Sequence, residues 1–272
     1  MTTKRKQDAV YTFDQFFTRS EVAKQCLDLL DLDSFDLCIE PSAGTKSFYN
    51  LLPAATRFGV EIDPRLAEGI SCGSWYDHHW DQGDILVVGN PPFGTQNSEA
   101  IKFFNHAAQF AHTIAFIIPR TWKRPSVQNS LNLHFHLVKS VDLDSAFEGE
   151  KATAVKCCFQ IWTRRTTKRK KVKQTLTHPD WQFLPYETRD GDLHPPLTAD
   201  FVVLAYGSNP GQISDDLYRW RPKSVHFIKS RIDTATLKSR FQQLDYSVAN
   251  DSARQASLGK GALVALYGDQ YD

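Results

Sequence analysis

From Ile85 to Phe93 the chain reads Ile-Leu-Val-Val-Gly-Asn-Pro-Pro-Phe. Four apolar residues in a row, three of them β-branched, followed at once by Gly and Pro, predict a short strand buried on both faces. Pro91 and Pro92 fix φ at consecutive positions, so the turn that ends the strand is rigid. Working outward, similar runs recur at Leu37–Ile39, Phe58–Ile62, Ile114–Ile118, Leu137–Leu143 and Ala154–Trp162. Helix-compatible stretches lie among them, at Ser98–Phe110 and Pro125–Leu133. An amphipathic pattern at Ser20–Leu32, with Ser20 as its N-cap, precedes them all. Buried runs alternating with helices predict an open α/β sheet covered on both faces.

The 272 residues suffice for one α/β domain of about 150–200 residues and a smaller appendage. No run approaches the ~18 apolar residues of a membrane span. The N-terminal Met-Thr-Thr-Lys-Arg-Lys lacks the apolar core of a signal peptide. Five cysteines, an odd number with no CxxC pair, point to a reducing compartment, and an intracellular, cytoplasmic protein is expected. Cys157 and Cys158 read as core thiols. His134 and His136 alternate as in a half-exposed strand, and no metal site is expected. Lys+Arg 32 against Asp+Glu 31 leaves distribution to decide the partners. The charges cluster after Trp162, where residues 163–173 carry seven positive side chains and no negative one. The expected organisation is therefore a loose arm over 1–12, a main domain over 13–162, a basic linker over 163–175 and a small α+β unit over 176–272. In that last unit Phe201–Tyr206 and His226–Ile228 read as strands, and Asp233–Leu244 and Gly261–Tyr267 as helices.

In an open α/β sheet, ligands bind outside the carboxyl ends of the strands. The turn at Asn90 would bring the Asn90 carboxamide oxygen and the Pro91 carbonyl into one small volume, with the flat face of Phe93 beside them. Two acceptors and a ring suit the exocyclic amine of a planar base. Glu40-Pro41-Ser42-Ala43-Gly44 follows the run Leu37–Ile39, and its glycine lets the backbone approach a ligand closely. Glu61, about twenty residues on, closes the next run where an acid commonly holds ribose hydroxyls. Asp84 heads the strand that leads to Asn90.

The segment Phe17-Thr18-Arg19-Ser20-Glu21-Val22, then Glu40–Gly44, then Glu61, Asp84 and Asn90–Phe93, resembles the S-adenosylmethionine-dependent N6-adenine methyltransferases. The motif order is similar to that of the gamma class of DNA amino-methyltransferases, over roughly residues 13–162. The resemblance implies a Rossmann-like, doubly wound, mostly parallel sheet with one antiparallel strand at Ala154–Ile161. It implies S-adenosyl-L-methionine as cofactor, with Phe17 and Thr18 at its methionine portion and Glu40, Pro41, Ala43 and Gly44 shaping the pocket. Glu61 would hold the ribose, Ile62 would lie beside the cofactor's adenine, and Asp84 would accept from that adenine's amine. Asn90, Pro91, Pro92 and Phe93 would form the catalytic turn, and Phe147 would set a second aromatic against the flipped base. Lys46 stands where the family commonly has a second glycine, which is tolerable when its side chain points outward. Phe93 replaces the commoner tyrosine and keeps the stacking face.

The expected activity is methyl transfer to the N6 amine of adenine in DNA. The alternatives are the same chemistry on RNA, because Asn90–Thr95 also resembles some ribosomal-RNA enzymes, and a catalytically silent nucleic-acid-binding relative. The basic run, with Arg120, Lys123 and Arg124, would contact phosphates, and residues 176–272 would recognise the target.

Overall fold

A computed structural model describes residues 16–148, 155–252 and 255–271; the expected arm over 1–12 lies outside them. The chain divides into two compact units, with the boundary between Lys171 and Val172.

The first unit opens with helix α1 (Ser20–Leu27) and continues with strands β1 (Leu37–Glu40), β2 (Arg57–Glu61), β3 (Ser71–Cys72) and β4 (Ile85–Gly89). Helix α2 (Ser98–Ala107), β5 (Thr113–Pro119), the short helix α3 (Pro125–Gln128), β6 (Phe135–Leu143) and β7 (Cys157–Arg164) complete it. The strands form one seven-stranded sheet in the order β3-β2-β1-β4-β5-β7-β6. β1 to β5 pair in parallel, and β7 runs antiparallel to both β5 and β6. This is a doubly wound, Rossmann-like α/β sheet with one antiparallel strand.

Strand periodicity sorts the side chains onto two faces. Ile39, Ile85, Val87, Ile114, Phe116 and Cys158 face α2, whose Ala100, Phe103, Phe104 and Ala107 pack on them. Cys38, Leu86, Val88, Ala115, Ile117 and Cys157 face the other way, against Val22, Ala23, Cys26 and Leu27 of α1. Both faces are buried, which is why β4 and β5 read as continuous apolar runs. Cys157 and Cys158 are free, buried thiols on opposite faces, and burial pushes Cys158 up to about 12.

Some local expectations shift. Arg19, not Ser20, is the N-cap of α1, because its extended backbone pairs with Ala146. α1 stops at Leu27 in tight turns, where Leu29 and Leu30 donate to Cys26 and Leu27. β7 begins at Cys157, and residue 154, where it was expected to start, lies outside the described residues. The basic run as far as Lys171 belongs to the first unit and does not form a linker. Arg165 N–H donates to the His134 carbonyl and Arg169 N–H to that of Leu133. The His134 and His136 rings meet the carbonyls of Arg165 and Thr167 at 3.1 and 2.9 Å.

The second unit is a four-stranded antiparallel sheet, ordered β12 (Ile213–Ser214), β11 (Phe201–Leu204), β13 (Val225–Ser230), β8 (Trp181–Leu184). A hairpin of β9 (Glu187–Arg189) and β10 (Asp192–His194) turns at Asp190-Gly191, both at positive φ, as a two-residue hairpin loop requires. Helices α4 (Thr234–Gln242) and α5 (Lys260–Tyr271) share a core with Trp181, Phe201 and Ile228. Asp180 accepts from Arg240 and Tyr267 at 3.0 and 2.6 Å.

Phe104 is fully buried, with the rings of Phe116, Trp122, Phe135 and Trp162 centred 5.4–6.5 Å from its own. Phe104→Ala is expected to destabilise the chain by about 3–5 kcal/mol in equilibrium urea unfolding. A loss below about 1 kcal/mol would mean that the neighbouring rings close the gap.

Candidate functional site

The ends of β1, β2, β3 and β4 open on one edge of the sheet, around a cavity of about 270 Å³. Glu40, Pro41, Ala43 and Gly44 line it from the end of β1, and Glu61 and Ile62 from the end of β2. Asn90, Pro91, Pro92 and Phe93 line it from the end of β4, and Phe17 and Thr18 from the segment before α1.

The loop after β1 is tied to the end of β2. Gly44 N–H donates to Glu61 Oε2 at 2.7 Å, Asp63 N–H donates to Glu61 Oε1 at 2.8 Å, and Ala43 N–H reaches the Val60 carbonyl. Each Glu61 oxygen therefore accepts one amide and keeps a lone pair for a ligand. Next to it, Ile62 is 53% exposed, an apolar face left open beside a buried acid. Asp63 is clamped by the Arg65 guanidinium, which holds its carboxyl below the ordinary value. Lys46 adopts φ +64°, the left-handed conformation that favours glycine. Its side chain turns away from the cavity, with Nζ donating to the Glu68 carbonyl at 2.6 Å. Phe17 covers Gly44, where a Cβ would stand 3.6 Å from the ring.

Glu40 is buried and accepts from Tyr49 N–H at 2.7 Å. Burial holds its carboxyl well above the ordinary value against that hydrogen bond, and the charge of Glu61 adds to the rise. Gly89, at φ +152°, lets β4 pass close by, since a Cβ there would lie 3.2 Å from Glu40 Cγ.

Asn90 Nδ2 donates to the Phe16 carbonyl at 2.7 Å. A carbonyl only accepts, so this bond fixes which way the carboxamide points. Asn90 Oδ1 is buried and has no hydrogen-bond partner among the described residues. A buried acceptor without a donor is costly, and Asn90 is one of the residues that line the cavity. Phe147 stands behind the turn, buried, with its ring 6.0 Å from Phe93 and 5.3 Å from Phe16.

Asp84 is not in this site. It precedes β4, at the edge where Asp36 N–H reaches its carbonyl, whereas Asn90 follows β4. Six steps of strand put the two about 20 Å apart. A residue heading a parallel strand cannot share an edge with one that ends it. The carboxylate that the sequence reading overlooked is Glu99, on the first turn of α2, with Tyr76 Oη 3.5 Å away and Lys102 at 2.6 Å. Ser74, Trp75 and Tyr76 also line the cavity, from the loop after the two-residue β3. The acid at Glu99 is six residues beyond a recognisable motif, which is the signal that would have found it.

Glu40, Glu61 and Glu99 line the cavity, and no Lys, Arg or His does so among the described residues. An acidic wall favours a cationic ligand and repels phosphates. Elsewhere the basic groups are partly engaged. Arg120 and Lys123 pair with Asp142 of β6, and Arg164 and Arg169 bury their guanidinium groups on main-chain carbonyls. Among the described residues no cluster of three or more potential metal ligands occurs, and no helix is long and apolar enough to cross a membrane.

No family model and no curated protein matches the chain. Solved structures that resemble it include the 23S rRNA methyltransferase ErmE, at 18% identity over 56% of this chain and 71% of that one, with a TM-score of 0.41. A dimethyladenosine transferase from Plasmodium falciparum matches at 15% identity over 56% of this chain and 64% of that one, with a TM-score of 0.42. A Thermoplasma acidophilum protein matches at 14% identity over 61% of this chain and the whole of that one, with a TM-score of 0.44. Likeness at this level settles neither substrate nor activity.

The raised Glu40 carboxyl gives a pH test. The folded chain keeps a proton that the unfolded chain releases, so this group's contribution favours folding at low pH. That contribution is lost as pH rises from the ordinary value of 4.5 toward the folded one. Glu40→Gln removes the dependence, so the Tm of the variant relative to the parent should climb between about pH 4.5 and neutrality. Parallel Tm profiles would show that Glu40 titrates alike in both states.

Proposed function

We propose that this chain transfers a methyl group from S-adenosyl-L-methionine to the N6 amine of adenine in nucleic acid, with DNA as the favoured substrate. The observation that carries the reading is the buried, unpartnered Asn90 Oδ1 on the wall of an acid-lined cavity.

The residues present suit the cofactor. Its sulfonium and ammonium groups are cationic, and the cavity meets them with carboxyl oxygens and, among the described residues, no basic side chain. The open lone pairs of Glu61 would take the ribose hydroxyls, and exposed Ile62 would lie on the cofactor's adenine. Glu99, which lines the cavity where Asp84 does not, would accept from that adenine's amine. Phe17 and Thr18, with the Glu40–Gly44 loop, would enclose the methionine portion. When bound, the cofactor supplies an electrophilic methyl group.

The remaining chemistry belongs to the turn. The N6 lone pair of adenine is delocalised into the ring and is a poor nucleophile. Asn90 Oδ1 and the Pro91 carbonyl would accept both amine hydrogens, favour the pyramidal amine and localise its lone pair. That stabilises the transition state more than the ground state, and stacking on Phe93 sets the alignment. Asn90–Phe93 contains no base, so the proton leaves to water. The exposed Arg165, Lys168, Lys170, Lys171 and Lys173 would meet phosphates. The second unit gives the chain a surface beyond the catalytic one, which favours duplex DNA as the target.

Two variants divide the roles. Asn90→Ala should abolish methylation and leave cofactor affinity nearly unchanged. Glu61→Ala should weaken cofactor binding by roughly 1.5–3 kcal/mol in calorimetric titration, because a charged acceptor is lost. Labelled S-adenosylmethionine with duplex DNA or RNA, followed by nucleoside analysis, identifies the product. Methylation by Asn90→Ala at the parent single-turnover rate would remove the turn from the chemistry.

A further inference from the structure

Phe93 already has an aromatic partner beside its half-buried ring. The Phe16 ring lies over it with centroids 5.9 Å apart and planes 25° from parallel, within the range of stacked aromatic pairs. The same ring is 5.3 Å from Phe147, and Phe93 and Phe147 are 6.0 Å apart at 56°. The three rings close a triangle, and the two outer ones do not form a slot that would admit a base between them. On the reading of Asn90–Phe93 given above, a target adenine and the Phe16 ring compete for one place.

We propose that Phe16 is a built-in occupant of the target-base position, which an incoming adenine must displace. The main chain around it is well anchored. The Phe17 carbonyl accepts from Glu148 N–H at 2.9 Å, Arg19 N–H donates to the Ala146 carbonyl at 3.2 Å, and Ser47 Oγ donates to the Thr18 carbonyl at 2.6 Å. The Phe16 carbonyl itself holds Asn90 Nδ2. Ring and carbonyl therefore have separate roles. The ring can leave Phe93 by side-chain rotation while the carbonyl keeps its hold on Asn90 Nδ2. With no base present, the ring covers part of the apolar surface of Phe93 and Phe147. Its displacement opposes capture, so the site favours bases that are already unstacked or easily flipped.

The test uses the full chain and a fluorescein-labelled oligodeoxyadenylate, with its RNA counterpart, followed by anisotropy. Phe16→Ala should tighten binding by roughly 2- to 12-fold, the worth of one aromatic pair, because the competitor is gone. Phe16→Leu keeps apolar packing without a flat ring and should shift affinity in the same direction; it decides the matter if the alanine variant does not fold. Phe93→Ala serves as the internal reference and should weaken binding. Weaker binding by both Phe16 variants would make Phe16 a wall of the site and overturn the proposal. Unchanged binding by both, with Phe93→Ala still weaker, would reduce Phe16 to packing and leave the reading of the turn intact. Unchanged binding in all three would overturn the base site itself, and this inference with it.

Discussion

Burial of both faces of the seven-stranded sheet is the constraint on which the rest of the first unit depends. With α1 on one face and α2 on the other, the middles of β1, β2, β4 and β5 have no room for a polar side chain. Acids and amides are confined to strand ends. Because these strands are parallel, their carboxyl ends share one edge, and Glu40, Glu61 and Asn90 meet there although fifty residues separate the first from the last. The site is thus a consequence of strand polarity as much as of the residues that occupy it.

Concentrating acids at one edge has an electrostatic cost, which the chain offsets unevenly. Glu61 is held by two amide donors, Gly44 N–H and Asp63 N–H. Glu40 is buried more deeply, and its carboxyl is pushed up by desolvation and by the charge of Glu61. Burial and a neighbouring charge thus strengthen the hold of Glu40 on its proton. Among the described residues no lysine or arginine lines the cavity, unlike a phosphate-binding glycine loop, where backbone amides and basic side chains converge on the ligand.

Much of this was legible in the sequence because it rests on local patterns. The run Ile85–Val88 and the rigid turn after it required only periodicity and proline stereochemistry, and the glycine loop and Glu61 followed from strand ends. Asp84 was misplaced because an acid next to a strand gives no sign in the sequence of which edge it occupies; strand direction decides that. β3 is two residues long and leaves no periodic trace, so Ser74, Trp75 and Tyr76 went unassigned. In the second unit, β8 to β10 and β12 are two to four residues each, too short for a periodic pattern, and β8 is defined by pairing with the distant β13. The basic run read as a linker because charge pattern cannot show that Arg164 and Arg169 bury their guanidinium groups on carbonyls and lie over the rings of Phe135 and Trp162.

The segment from Phe16 to Arg19 shows best how the distant parts of the site are joined. Thr18 bridges Phe147 in an antiparallel pair, fixing the segment against the loop that leads toward β7. From that anchor, adjacent residues reach different walls. Phe17 covers Gly44 beside the β1–β2 loops, and Phe16 meets Phe93 and Asn90 at the end of β4. An extended backbone sends successive side chains to opposite sides, so one short stretch touches both halves of the cavity. Its carbonyl also settles why an amide stands at position 90. A carboxylate there would set negative charge against the Phe16 oxygen, whereas the carboxamide gives its N–H to that oxygen and keeps its own acceptor free of any described partner.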